Sequence, residues 1–417
     1  MTSTTGRLGP VWLKNILARP KTAAPAGTAT AAASQPAPAT PSALPLAILA
    51  AALRAPHGAS PEELAAAIAG KKARPDLDPN LVDDDGFPIT SARCDAAVDE
   101  AVREEISEWL VLSGMAELHL GEAQWRALIL GTAVVRDLAG EALAQLMPAE
   151  GAPPQLRLLP ILPSGWTVEQ RHAAGLWFKH TVAQFGWPVD HLTRIDVARE
   201  PDTAVSSIFH DQFAPHSATA PVRQAAIVIA CASNIDQETV DTWATNKTLF
   251  TPTQPQGSVP GEGAAGLLMT NLAYAQSLPA AAFTLLDPLK EARLASSADD
   301  NRRPDAALLS SLANQACNHA NVDLANVGMI AADAGQRTYR IRELMAVASG
   351  SFPHLDDTTD VACVGISSGR CGAVPYLTAL ALAQHQASAR GTPVLYLINE
   401  EPHVRYAALV RPTVPLS

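Results

Sequence analysis

Ser206, Ser207, His210 and Asp211 stand close together and are the residue types of nucleophilic hydrolysis. A hydroxyl nucleophile needs a base within hydrogen-bond reach, and on a helix Ser206 and His210, four apart, share a face. The acid of a triad orients the histidine from its far side, whereas Asp211 is the histidine's chain neighbour, and no G-x-S-x-G elbow exists. The group reads as a polar helical turn. Asp356, Asp357 and Asp360 with His354 offer oxygen and nitrogen ligands, but not at the regular spacing of a calcium loop, and Asp83–Asp85 has the same shortcoming. Both read as solvated acidic loops, and the run from Asp299 to Arg303 as an exposed turn. Residues 257–266 are rich in glycine, lack a G-K-S or G-K-T ending and precede a strand pattern, so they are not a phosphate loop. Cys94, Cys231, Cys317, Cys363 and Cys371 contain no C-x-x-C pair and read as reduced, mostly buried thiols. No cofactor and no metal are expected.

The elements that would position such groups alternate along the chain. Strand patterns cover 44–53, 156–162, 194–198, 225–231, 264–270, 281–286, 327–332 and 361–366, and a closing pair covers 394–399 and 404–411. Helical patterns cover 61–72, with Ser60 as N-cap, and 94–112, 167–185, 203–213, 236–245, 305–319, 338–347 and 372–386. Residues 125–138 and 140–147 read as helix or mixed structure, and 74–93 as irregular, with a turn at Asp83–Gly86. The run 225–231 is apolar throughout, as in a strand buried on both faces. This alternation implies an α/β fold with a largely parallel or mixed sheet covered by helices. Trp166, Trp177, Phe178, Phe185 and Trp187 gather around the helix at 167–185 and read as core or interface, the sharper alternative being an acyl pocket.

The chain of 417 residues is long enough for a large core, and its 47% hydrophobic and 17% charged residues suit a globular protein. A formal net charge of -11 disfavours nucleic acid and anionic lipid as partners. Residues 1–21 form a basic head in which Val11, Trp12, Leu13, Ile16 and Leu17 share one helical face. Residues 22–45 are an uncharged Ala/Pro/Thr linker. Membrane contact is expected only through 1–21. With no ~20-residue apolar span and no signal-peptide pattern, a cytoplasmic location is expected.

Three landmarks then stand in order. Asp202-Thr203-Ala204-Val205-Ser206-Ser207 precedes the strand at 225–231, Val259-Pro260-Gly261-Glu262-Gly263-Ala264 leads into the next strand, and Gly369-Arg370-Cys371-Gly372-Ala373 opens a long helix. In this order and spacing they resemble the D-T-A-C-S-S elbow, the G-E-G-A turn and the G-H-x-G-A loop of the β-ketoacyl synthases of the thiolase-like superfamily. The resemblance is strong over 201–417 and weak over 1–150. It implies a layered αβαβα fold with mixed sheets, with a divergent first half at 46–200 and a ketosynthase-like second half at 201–417, behind a disordered head and linker.

The family's chemistry is decarboxylative condensation through a cysteine thiolate at a helix N-terminus, aided by two histidines. The resemblance places the nucleophile at Val205, the first histidine at Asp333 and the second at Arg370. It places a lysine at Gly365 and a glycine-rich turn at Asn399-Glu400-Glu401-Pro402. Valine carries no lone pair, and a carboxylate at Asp333 repels an enolate. The implied site is vestigial, while Glu262, Gly263 and Gly372 persist as structural residues. Three readings follow. The chain is a non-catalytic adaptor or scaffold; in outline, its altered Gly369–Ala373 loop and Asp-rich stretch 81–87 resemble bacterial adaptors that load lipase effectors onto the type VI secretion machine. Alternatively it is an accessory subunit like a chain-length factor, or an enzyme of altered chemistry using Asp333 and Arg370. The family pairs subunits through the strand before the elbow, so a homodimer or heterodimer through Ile195 and Val197 is expected.

Overall fold

The computed structural model describes residues 44–194, 223–279, 282–300 and 306–413. In chain order the labelled elements are β1 (Leu46–Arg54), α1 (Pro61–Ala69), β2 (Asp76–Val82), β3 (Pro88–Ser91), α2 (Glu100–Leu112), α3 (Glu122–Leu146), β4 (Gln155–Ile161), α4 (Val168–Gln184), β5 (Leu192–Arg194), β6 (Gln224–Ser233), α5 (Gln237–Thr245) and β7 (Glu262–Asn271). They continue as β8 (Thr284–Leu286), β9 (Lys290–Arg293), α6 (Ala307–His319), β10 (Met329–Ala332), α7 (Thr338–Ser351), β11 (Val361–Cys363), α8 (Val374–Arg390), β12 (Val394–Ile398) and β13 (Val404–Pro412).

Side chains alternate across a strand, so an apolar run must enter two cores. In β6, Ala226, Val228 and Ala230 join one cluster, and Ala225, Ile227 and Ile229 another. In β12, Val394, Tyr396 and Ile398 join the first cluster, and Leu395 and Leu397 a third. The shared first cluster holds α8, whose Leu377, Leu380 and Ala381 are fully buried. Helices α2, α3 and α4 cover the outer face of β6, and α6 and α7 that of β12. The order is therefore helices, sheet, α8, sheet, helices: the expected layered αβαβα architecture.

Among the described residues the strands of these two layers form one mixed sheet ordered β11-β10-β12-β13-β8-β1-β7-β6-β4-β5, with β9 beside β13. It consists of two repeats of one pattern. In the first, β4 is parallel to β5 and β6, β6 is antiparallel to β7, and β7 to β1. In the second, β10 is parallel to β11 and β12, β12 is antiparallel to β13, and β13 to β8. The two strand repeats divide between Asn271 and Thr284, because β6 and β7 complete the first.

Four other expectations change. Residues 74–93 are not irregular: β2 and β3 form a hairpin, closed where the Asp83 carboxylate accepts the N–H groups of Asp85 and Phe87 and Gly86 takes φ +81°. Helix α2 starts only after Asp99, whose side chain accepts the Val102 N–H, and residues 95–97 make a separate turn. Residues 122–146 are one helix, and Gly131 within it lets Phe178 approach to 2.6 Å of where a Cβ would stand. The strand expected at 361–366 ends at Cys363, and Val364–Ser368 turns into a short helix. Of the strand expected at 194–198 only Arg194 is described, as the end of β5; Ile195, Val197 and the helix expected at 203–213 lie outside the described residues.

Candidate functional site

A cavity of about 1080 Å³ opens where the carboxyl ends of β6 and β10 approach the start of α8. Trp166, Trp243, Asp333, Gly365, Arg370 and Glu400 are among its lining residues. Three of these, Asp333, Gly365 and Arg370, are positions at which the resemblance implied lost catalytic groups. The fourth, Val205, lies outside the described residues, as do Ser206, Ser207, His210 and Asp211.

Asp333 follows β10 and is completely buried. Its Oδ1 accepts the backbone N–H groups of Asn399 at 2.7 Å and Glu400 at 3.2 Å, which fastens the β10 end to the loop after β12. Burial, reinforced by the nearby Glu400 charge, pushes its carboxyl up to about 7, against the pull of those two N–H groups. Glu400 in turn accepts the Gly335 N–H at 3.0 Å and pairs with Arg337. Arg337 also reaches Asp299 at 3.0 Å, and Arg340 meets the same carboxylate at 2.8 Å. Behind them Arg405 and Glu343 form a buried ion pair at 2.7 Å, and the Asn399 amide donates to Glu343. Asp299 is exposed, as the sequence implied, but it anchors two arginines rather than standing free.

Gly365 has no room for a side chain. A Cβ there would lie 2.1 Å from the Asp333 carbonyl oxygen and 2.8 Å from Ala334 backbone. A lysine at this position would require the backbone to move.

Arg370 is exposed. Its N–H donates to the Val259 carbonyl at 2.8 Å, and its own carbonyl accepts the Asn234 amide at 2.6 Å. Its guanidinium lies over the Trp243 ring, 5.7 Å from the centroid, and reaches Ser258 Oγ at 3.4 Å. It does not pair with Asp333. The two line one cavity as separate groups, one a carboxyl whose proton burial holds up to about 7 and the other a guanidinium held by an aromatic face.

Glu262, the first residue of β7, is completely buried. It takes a bidentate pair from Arg126 at 2.6 and 2.8 Å, the Cys94 N–H at 2.7 Å and the Ser233 hydroxyl at 2.9 Å. One carboxylate thus joins α3, β6, β7 and the segment before α2. Gly263 presents its Cβ direction to the Arg54 carbonyl at 3.0 Å, and Gly372 takes φ +58° as the chain turns into α8.

The remaining sequence candidates serve the fold. His354 bonds the Val327 carbonyl at 2.8 Å, and Asp360 pairs with Arg390 at 2.8 Å. Trp177, Phe178 and Trp187 are buried, and the Trp177 N–H donates to Thr132. Phe185 is 41% exposed. Burial raises all five thiols, Cys94 and Cys231 to about 12, which leaves them protonated at neutral pH. Among the described residues no group of three His, Cys, Asp or Glu side chains is arranged to hold a metal, and no helix is long and apolar enough to cross a membrane.

The sequence reading missed Trp243, Arg126, Arg337 and Glu343. Arg126 did carry a signal: it stands between Trp125 and the apolar run Ala127-Leu128-Ile129-Leu130, where a charge needs a buried partner.

No family model matches the sequence, and no curated protein is similar to it. Solved structures do match. The ketosynthase/chain length factor for ishigamide aligns with TM-score 0.53 and 15% identity, over 89% of this chain and 100% of that one. The ketosynthase from module 6 of the bacillaene synthase of Bacillus subtilis aligns with TM-score 0.58 and 12% identity, over 89% and 72%. An oxazolomycin ketosynthase domain from Streptomyces albus gives 0.55 and 12%, over 90% and 75%. The fold is that of the ketosynthases. The two sheet repeats and the cavity at their strand ends are features of this ketosynthase-fold chain, and the side chains around the cavity are its own.

Proposed function

We propose that this chain is a non-condensing ketosynthase-fold protein that acts as a scaffold or adaptor for a protein partner. The observation that carries the reading is the use made of Asp333. At the address where the resemblance implies a catalytic histidine, a buried carboxyl spends its acceptor oxygen on the N–H groups of Asn399 and Glu400. It ties two loops together at the place where the resemblance implies an imidazole. Gly365 closes the neighbouring lysine address with backbone, Arg370 at the second histidine address cannot act as an acid or base near neutral pH, and Val205 at the nucleophile address cannot be acylated. Glu262, Gly263 and Gly372 keep the strands and α8 in place. In this reading the vestigial site is structural, and partner binding is the activity; type VI secretion adaptors are one class of protein that works this way.

The decisive assay offers malonyl- and acyl-carrier substrates to the whole protein. The expected result is no acyl adduct by intact mass and no carbon dioxide release above a denatured control. An adduct at any residue overturns the reading.

The likeness to a ketosynthase/chain length factor structure favours a second reading, an accessory subunit that pairs with an active condensing partner. Co-purification with the products of neighbouring genes separates the two: a condensing subunit for this reading, a secretion effector for the first. Pairing through Ile195 and Val197 is common to both. In a homodimer, Ile195→Lys shifts the sedimenting species from twice 43.7 kDa toward 43.7 kDa; a single unchanged species removes that interface.

A further inference from the structure

A second concavity, of about 540 Å³, lies in the first half of the molecule and shares no lining residue with the cleft. Two helix faces build it. On α4, Leu176, Lys179, His180 and Ala183 recur at i, i+3, i+4 and i+7, which is one stripe. The other side of α4, with Trp177 and Phe178, is buried in the core. From α2 comes Trp109, and Met115 and Val189 belong to the segments that follow the two helices.

One wall of this pocket is made of rings. Trp109 meets Trp177 edge to face with centroids 5.5 Å apart, and the His180 ring lies tilted against both at 5.7 Å. Trp177 is itself fixed by its hydrogen bond to Thr132 at 2.8 Å. Trp109 and His180 are only half-buried, so the core ends in a wall that water still reaches. The charged and titratable groups of the lining are Lys179, His180 and His172, and no Asp or Glu is among them. Glu108 and Asp190 are chain neighbours of lining residues but do not line the pocket themselves. Among the described residues no hydrogen bond or ion pair engages the Lys179 ammonium or the His180 ring nitrogens.

We infer that this pocket binds a small aromatic carboxylate, its ring against Trp109 and His180 and its anion on Lys179. Three observations select that class. The volume and the mostly apolar lining with a few polar groups are those of a small-molecule site. The ring wall offers an aromatic guest stacked or edge-on contacts, and the flexible Met115 thioether adapts to its outline. The lining is basic although the chain carries 41 acidic residues against 30 Lys and Arg. A cationic guest would find the rings but no counter-charge, and would meet Lys179. The inference is independent of the scaffold reading above: an acyl adduct at the cleft would overturn that reading and leave this pocket as it is.

The test titrates the whole protein with naphthoate, naphthalenemethanol and naphthylmethylammonium by calorimetry. The carboxylate should bind at least tenfold more tightly than the alcohol, and the ammonium should bind weakest. Lys179→Glu should weaken naphthoate about tenfold and change the alcohol little, while Ala183→Phe fills the pocket and should abolish both. Lys179 stands at the rim, so its variant should keep the wild-type unfolding midpoint. Amide exchange of residues 105–115 and 172–189 should slow in the wild-type complex, which locates the site without any variant and decides the matter with Lys179→Glu should Ala183→Phe fail to fold. Ammonium bound as tightly as carboxylate would reduce the effect to general attraction by an acidic chain and overturn the proposal. So would naphthoate binding that survives both variants, or protection confined to the cleft around Trp243 and Arg370. Absence of binding at millimolar naphthoate overturns it directly, and if the protein then sediments with phosphatidylglycerol vesicles, the face is a membrane contact instead.

Discussion

The two halves of the sheet share one strand order and use their buried charges differently. In the first half buried carboxylates act one at a time: Glu262 holds Arg126 and joins a helix to a strand, and Asp78 holds Arg93 under the β2–β3 hairpin. In the second half the charges beside the cleft run as a network through Arg405, Glu343, Asn399, Glu400, Arg337 and Asp299, which ties the loops after β10 and β12 to α7 and β13. Those loops follow β10 and β12, at the carboxyl ends where open α/β sheets gather their chemistry. One topology thus carries a charge used as a rivet in one half and charges used to wall a cleft in the other. Fold and site separate here: the repeat is a property of the strands, and the site is a property of what the loops do at their ends.

The difference is sharpest in what each buried pair loses when broken. Glu262→Ala leaves Arg126 buried with one remaining contact, the Cys94 carbonyl at 3.3 Å. A stranded buried charge costs about 3–5 kcal/mol, and denaturant unfolding should report a loss of that size. Glu343→Ala should cost less, about 2 kcal/mol, because Arg405 keeps the carbonyls of Glu401 at 2.6 Å and Val404 at 2.8 Å. Equal losses would break the contrast between rivet and network.

The second test concerns pH and is confined to the second half. The folded chain holds the Asp333 proton up to about 7, against 3.8 for an ordinary aspartate. The folded state therefore binds more protons than the unfolded state between these values. The contribution is whole below pH about 4 and is lost as pH rises through about 7. Asp333→Asn stays neutral throughout. Relative to wild type, its stability should rise by roughly 2–4 kcal/mol from pH about 4 to pH about 8. A difference independent of pH would mean that Asp333 ionises freely and that burial does not govern it.

Gly365→Ala asks whether backbone has truly closed the lysine address. The added methyl meets the Asp333 carbonyl within 2.1 Å, and such overpacking costs about 1–3 kcal/mol. Unchanged stability in thermal unfolding would show that the Val364–Ser368 turn yields easily and that the address is open to a side chain.

Much of this fold was legible because burial on two faces writes itself as unbroken apolar runs. β6 announced itself in that way, and the N-cap Ser60 marked its helix from local chemistry alone. The hairpin at 76–91 was not legible. Its alternation is interrupted by Pro79 and by the register shift between Leu77 and Val82, and its inward polar residue Asp78 looks like a solvated charge until Arg93 and Ser91 are seen around it. At the cleft, the sequence identified Asp333, Gly365 and Arg370 by their place in a pattern, but their physical states depend on distant residues. The Asp333 proton is held by burial and the Glu400 charge, and the Arg370 guanidinium by Trp243. The Arg126–Glu262 pair joins residues 136 apart in the chain; spacing carries no information at that range.

The smallest expected effect tests where the two halves touch across the cleft. Trp243 lies on α5 of the first half, and Arg370 precedes α8 of the second. Their contact is a guanidinium over an indole face at 5.7 Å. Arg370 is exposed, so water competes for its charge, and a cation–π contact of this kind is worth about 0.5–1 kcal/mol. Arg370→Ala should therefore cost under about 1 kcal/mol, whereas Trp243→Ala should cost more, because the indole also packs against the cluster of Leu81, Ile89 and Val240. The double-mutant cycle isolates the contact itself, and a coupling of about 0.5–1 kcal/mol is expected. The coupling should persist at high salt better than a surface ion pair would, since the ring supplies a fixed quadrupole rather than a screened charge. Zero coupling would mean that the ring adds nothing and that Arg370 is held by Val259, Asn234 and Ser258.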